Sequence, residues 1–115
     1  MKIKNAFAIE VDFDGDIRSK ATGFHVFVGD NALQETREIL KIALRDLSKR
    51  MTEKCWDPVA TVGIYDYPIA QILESNELLD SIIYNDGFSR GNWEINIRHT
   101  EEEEMKCQKY CYSYR

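Results

Sequence analysis

The sequence predicts an α+β fold, a mixed α/β layer with a small sheet of about four strands covered by helices in the order β-β-α-β-α-β-α. Three observations lead there. Asn31 to Lys54 carries the apolar stripe of a long amphipathic helix, Ala6–Phe13 and Trp93–His99 alternate apolar and polar residues as half-buried strands do, and a β-forming run follows Pro58.

In the first strand Phe7, Ile9, Val11 and Phe13 alternate with Ala8, Glu10 and Asp12. Asp14-Gly15-Asp16 reads as a turn into a second strand, Ala21–Val28. With a three-residue loop, Phe13 faces Ile17, Asp12 faces Arg18 and Glu10 faces Lys20, so opposite charges pair. A two-residue loop would set Val11 against Arg18 and Ile9 against Lys20, a poorer match. In the helix that follows, Leu33, Leu40, Ala43, Leu44, Leu47 and Met51 share one stripe, and Asn31 with Gln34 has the form of a capping box.

Cys55-Trp56-Asp57-Pro58 ends the helix, since proline cannot continue it. Val59–Tyr65 then reads as a central strand, and Asp66-Tyr67-Pro68 as a helix start. Ile69–Tyr84 is expected to be helical with a break near Ser75-Asn76, and the loop runs from Asn85-Asp86-Gly87 through Ser89-Arg90-Gly91-Asn92. Trp93–His99 is the last strand, with Trp93, Ile95 and Ile97 on one face. Thr100 and Glu103 form a second capping-box pattern, which favours a helix over Glu101–Tyr112. The alternative there is a strand with Tyr110, Tyr112 and Tyr114 on one face.

A chain of 115 residues has room for a single domain, residues 1–115, and its 43% hydrophobic and 11% aromatic content suits a folded core. The net charge of -5 disfavours a simple phosphate-backbone binder. No apolar run of about eighteen residues and no signal-peptide pattern at Met1–Ile9 is found, so no membrane partner and a cytoplasmic location are expected. Cys55, Cys107 and Cys111, an odd number, fit reduced thiols.

Several stretches together resemble the ribonuclease H-like superfamily. They are Asp14-Gly15 closing a first strand, Thr22-Gly23-Phe24 opening a second, a long helix with Glu35 and Glu38, a strand ending at Asp66, and Trp93–His99 before an acidic helix start. The resemblance implies a metal-dependent nuclease, or a degenerate nucleic-acid-binding relative, with carboxylates gathered around Mg²⁺ or Mn²⁺. It would place Asp14, Glu35 or Glu38, Asp66, and Glu103 or Glu104 at the site, with Asp14 and Asp66 on the metal and His99 as the mobile histidine. The chain departs from the family in having no room for a third strand between Val28 and Asn31, and in Tyr67, where a small hydroxyl residue is usual.

Other groupings have two readings each. Asp12, Asp14 and Asp16 could hold Mg²⁺ or Ca²⁺, or form a charged hairpin tip. Cys107 and Cys111 could bind Zn²⁺ with His99 or Cys55, or pack as small thiols. Arg37, Lys41, Arg45 and Lys49 run at four-residue spacing along the long helix, either as a solvated face or as a strip for an acidic partner or a nucleic-acid backbone. Ile42, nearly opposite the apolar stripe, is either a singly exposed residue or the centre of a contact with a partner, a second subunit of a homodimer or the C-terminal segment. No nucleophile stands with an orienting acid beside His25 or His99. The favoured expectation is therefore a small acidic binding protein without catalysis or cofactor, of the size used by inhibitors, antitoxins, immunity factors and phage or bacterial modulators. The metal-dependent nuclease is the alternative.

Overall fold

Alternation is carried furthest in the first strand, β1 (Ile3–Phe13), where Phe7, Ile9, Val11 and Phe13 are buried and Glu10 and Asp12 exposed. The computed structural model describes residues 3–103, and the side chains of residues 5–100. Its elements are β1, β2 (Gly23–Val28), α1 (Ala32–Glu53), β3 (Val59–Val62), β4 (Tyr65–Pro68), α2 (Ile69–Leu73), α3 (Asn76–Tyr84), β5 (Gly87–Arg90) and β6 (Trp93–Glu103). The architecture is mixed α+β. A four-stranded antiparallel sheet has the order β2-β1-β6-β5, and β3 and β4 form a separate two-stranded ribbon. β1 and β6 pair along their whole length, from Ile3 opposite Glu103 to Phe13 opposite Trp93.

The helix expected over Asn31–Lys54 is α1, and Leu40, Leu44 and Leu47 on its stripe are buried. They share one core with Phe7, Ile9, Val11 and Phe13 of β1, Ile95 and Ile97 of β6, and Ile72, Leu79, Ile82 and Ile83 of α2 and α3. The helical layer thus packs on one face of the sheet. The start of α1 is not the expected capping box. Asn31 has φ -98° and ψ 5°, far from the extended backbone that lets a cap side chain reach back, and Gln34 bonds Glu38 instead. At the other end Trp56 N–H donates to Met51 at 2.8 Å and Cys55 N–H to Thr52 at 2.9 Å, with Cys55 at φ +62°. This is a Schellman closure with cysteine in the left-handed position that glycine usually takes.

Four expectations are corrected. The β1–β2 connection is not a tight hairpin: Val11 pairs with Gly23 and Glu10 with Phe24, so the pairings of Asp12 with Arg18 and Glu10 with Lys20 do not form. The loop instead folds onto α1, where Asp16 takes Arg50 at 2.8 Å and Ser19 donates to Asp46. Val59–Tyr65 is not one central strand, because Gly63 at φ +69° and Ile64 make a two-residue turn between β3 and β4. The segment read as loop through Ser89-Arg90-Gly91-Asn92 is a second hairpin, with Gly91 at φ +61° between Arg90 and Trp93. Finally, residues 100–103 continue β6 opposite Ile3–Ala6 where a helix start was expected. The rest of the expected helix over Glu101–Tyr112 lies outside the described residues. The break near Ser75-Asn76 is present, and Ser75 caps α3 by accepting from Leu78 N–H at 3.2 Å.

Candidate interaction surface

The residues singled out for nuclease chemistry stand on separate elements. Asp14 lies in the β1–β2 loop, and Glu38 on α1 accepts from Gln34 Nε2 at 2.7 Å and faces Lys41 at 3.7 Å. Asp66 on β4 accepts from Thr61 at 2.6 Å, and His99 on β6 stacks on Phe7 at 5.7 Å and meets Tyr84 edge-on at 4.7 Å. No group of three or more His, Cys, Asp or Glu side chains among the described residues could hold a metal ion. At the loop tip Asp12 accepts from Gly15 N–H at 3.2 Å, and Asp16 is turned to two arginines. Cys55 is exposed, whereas Cys107, Cys111, Glu104 and the tyrosines beyond them lie outside the described residues.

The row along α1 is partly engaged. Arg37 donates through Nε and an Nη to the two carboxylate oxygens of Asp80 on α3, each at 2.7 Å, and this bond holds the guanidinium charged more firmly than usual. Lys41 leans on Glu38, while Arg45 and Lys49 are exposed. Ile42 is not a freely exposed residue: it packs against the core and lines a cleft with Ser19, Asp46, Lys49 and Arg50, because the loop after β1 folds over this side of the helix. Arg50 also lies over the Phe13 ring at 4.7 Å.

The opposite face of the sheet is a surface the sequence reading did not single out. β2 is an edge strand, and its Phe24, Val26 and Val28 point away from the helical layer with 67%, 56% and 62% of their surface exposed. The register sets Val26 beside Ala8 and Val28 beside Ala6, with Arg98 and Thr100 of β6 across from the same alanines. Small residues on the central strand therefore leave a trough of about 320 Å³ between Val26 on one side and Arg98 and Thr100 on the other. Towards the β1–β2 loop the same face turns acidic, with Glu10, Asp12 and Glu94 exposed and Asp12 directly opposite Glu94. Fully burying a valine or phenylalanine is worth ~1.5–3 kcal/mol, so covering these three partly exposed side chains would contribute roughly 3–5 kcal/mol to a contact.

Among the described residues the backbone of β2 is open as well. Gly29 N–H donates to Asn5 at 2.9 Å, which fixes the phase of the ladder: His25 and Phe27 turn their amides and carbonyls to β1, and Phe24, Val26 and Val28 turn theirs outward. No strand among the described residues pairs with that outer edge. Gly23–Val28 contains no charge and no proline, the devices that usually blunt an edge. A usable signal was present in the sequence, since Phe24, Val26 and Val28 alternate with His25 and Phe27, giving a strand with apolar or aromatic residues on both faces. Such strands are normally central, whereas among the described residues this one stands at an edge with one apolar face uncovered.

A second cluster was also missed. Trp56, placed by the Schellman closure, meets Trp93 at the start of β6 with 5.6 Å between rings, and Arg90 lies over Trp56 at 4.7 Å. Lys54 sits 5.8 Å from one indole and 6.0 Å from the other. These side chains clasp the end of α1 to the β5–β6 hairpin. No helix among the described residues is long and apolar enough to cross a membrane. In comparisons with known proteins the chain matches no family model, no curated protein and no solved structure.

Proposed function

We propose that this protein is a non-catalytic binding module of the inhibitor or modulator type, which takes up an extended segment of a protein partner by strand addition at β2. The single observation that carries the reading is the uncharged outer edge of Gly23–Val28, where the backbone groups and side chains of Phe24, Val26 and Val28 are left uncovered by the described residues. In strand addition, main-chain hydrogen bonds supply affinity and alternate side chains supply specificity. The partner segment would place β-branched or aromatic residues along the valine ridge. Glu10, Asp12 and Glu94 at the acidic end favour a lysine or arginine at the end of the segment that lies there. Binding would keep the helical layer and its ion pairs intact, because the two faces of the sheet are independent surfaces.

Selection of short random peptides displayed against the wild-type protein and against Val26→Asp tests this. Enrichment on the wild type alone of peptides alternating β-branched or aromatic residues, with a basic residue at one end, is the expected result. Equal enrichment on both proteins would sink the reading, and recovery of acidic peptides sensitive to Arg45→Glu would move the site to α1.

A further inference from the structure

We propose that the resting occupant of the β2 edge is a second copy of this chain, joined by antiparallel pairing of β2 with its own symmetry mate about a two-fold axis through Val26. The proposal rests on the strand-addition reading and names the first strand that would be added. Its basis is the register. In an antiparallel pair, residues directly opposite lie on the same face, so with Val26 on the axis Val26 faces Val26 of the second copy, Phe24 faces Val28, and His25 faces Phe27. The pairs that would exchange backbone hydrogen bonds are Val26 with Val26 and Phe24 with Val28. Their amides and carbonyls are the ones the β1 ladder leaves pointing outward, so donors meet acceptors with no bulge or shift.

Side chains agree with the backbone. Each cross-strand pair on the open face joins β-branched or aromatic residues, and none sets like charges opposite one another. His25 already stacks on Phe27 within one chain, with rings 7° from parallel, so the other face would continue an aromatic row across the axis. Antiparallel symmetry also carries the two acidic ends of the open face to opposite ends of the joined sheet. That matters for a chain of net charge -5 meeting itself. The contact is isologous and closes on itself. The far edge is β5, only four residues long with Arg90 held over Trp56, and it does not offer a matching strand for further growth.

Sedimentation equilibrium of the wild type over a range of concentrations is the test, with Val26→Lys as the disrupting variant and Ile64→Lys as the control. Ile64 lies on the β3–β4 turn and is 84% exposed, so it removes a surface apolar residue away from the edge. Expected are a wild-type mass twice 13.4 kDa, an unchanged mass for Ile64→Lys, and loss of the dimer for Val26→Lys, whose lysines would meet on the axis, with circular dichroism unaltered. Should Val26→Lys fail to fold, Phe24→Lys at the adjacent pair replaces it. A monomeric wild type, or a dimer that survives in the edge variant that folds, overturns the proposal. If the wild type is monomeric yet still selects β-branched peptides, strand addition stands and self-pairing alone falls. The edge would then belong to a foreign strand or to the chain's own residues 104–115.

Discussion

Asp16 ties the loop after β1 to α1. Arg18 reaches it at 2.6 Å and Arg50 at 2.8 Å, and only 19% of its side chain is exposed. Hydrogen bonds from the Arg18 side chain and backbone, then from Arg50, hold its carboxyl well below the ordinary value of 3.8. A carboxylate depressed in the folded state contributes stability that is complete above its unfolded pKa and is lost as pH falls through and below that value. Resistance of the wild type to urea should therefore fall on acidification below about pH 4, and Asp16→Asn should be less stable at neutral pH with a flatter acid limb. Equal acid limbs in the two proteins would show that Asp16 is not a stabilising anchor. The same residue explains a misread feature. Asp12 and Arg18 look like cross-strand partners in the sequence, but Asp16, two residues from Arg18, captures it locally.

At the scale of elements, what was legible followed from periodicity, and what was not turned on single glycines. The stripe of α1 runs from Ala32 to Met51, too long to mistake, and Leu44 within it is fully buried. Leu44→Ala should cost about 2–5 kcal/mol through the cavity it leaves, measured by denaturant unfolding, and a loss near zero would place α1 outside the core. Gly63 and Gly91 each occupy the first position of a two-residue hairpin, yet both sit inside runs that read equally well as one strand or as loop. Two strands were hidden in this way. Gly87 is stricter, because a Cβ there would lie 1.9 Å from the Ile95 carbonyl oxygen at φ +110°. Gly87→Ala should accordingly displace β5 from β6 and destabilise by at least about 1–3 kcal/mol, the scale of strained backbone. A variant as stable as the wild type would mean that β5 can shift freely. The interaction surface was less legible than the core. A strand with apolar side chains on both faces signals burial on both sides, and only the sheet order reveals that β2 stands at an edge.

The whole molecule is an asymmetric layer, one sheet face packed by helices and the other left with an apolar ridge at its edge and carboxylates towards the loop. Residues that could have made a metal site are distributed over the β1–β2 loop, α1, β4 and β6. The long-range ion pair of Arg37 with Asp80 joins α1 to α3. The proposed strand addition at β2 has a signature set by the ladder phase. Phe24, Val26 and Val28 turn their amides outward, whereas His25 and Phe27 are already bonded to β1. Residue-resolved amide hydrogen exchange, recorded for dilute protein and again with a saturating selected peptide or at high protein concentration, reads this directly. Strand addition predicts that residues 24, 26 and 28 exchange fast when dilute and become protected together, while 25 and 27 are protected throughout. Unchanged exchange at 24, 26 and 28, with new protection on α1 around Arg45 and Lys49, would contradict it.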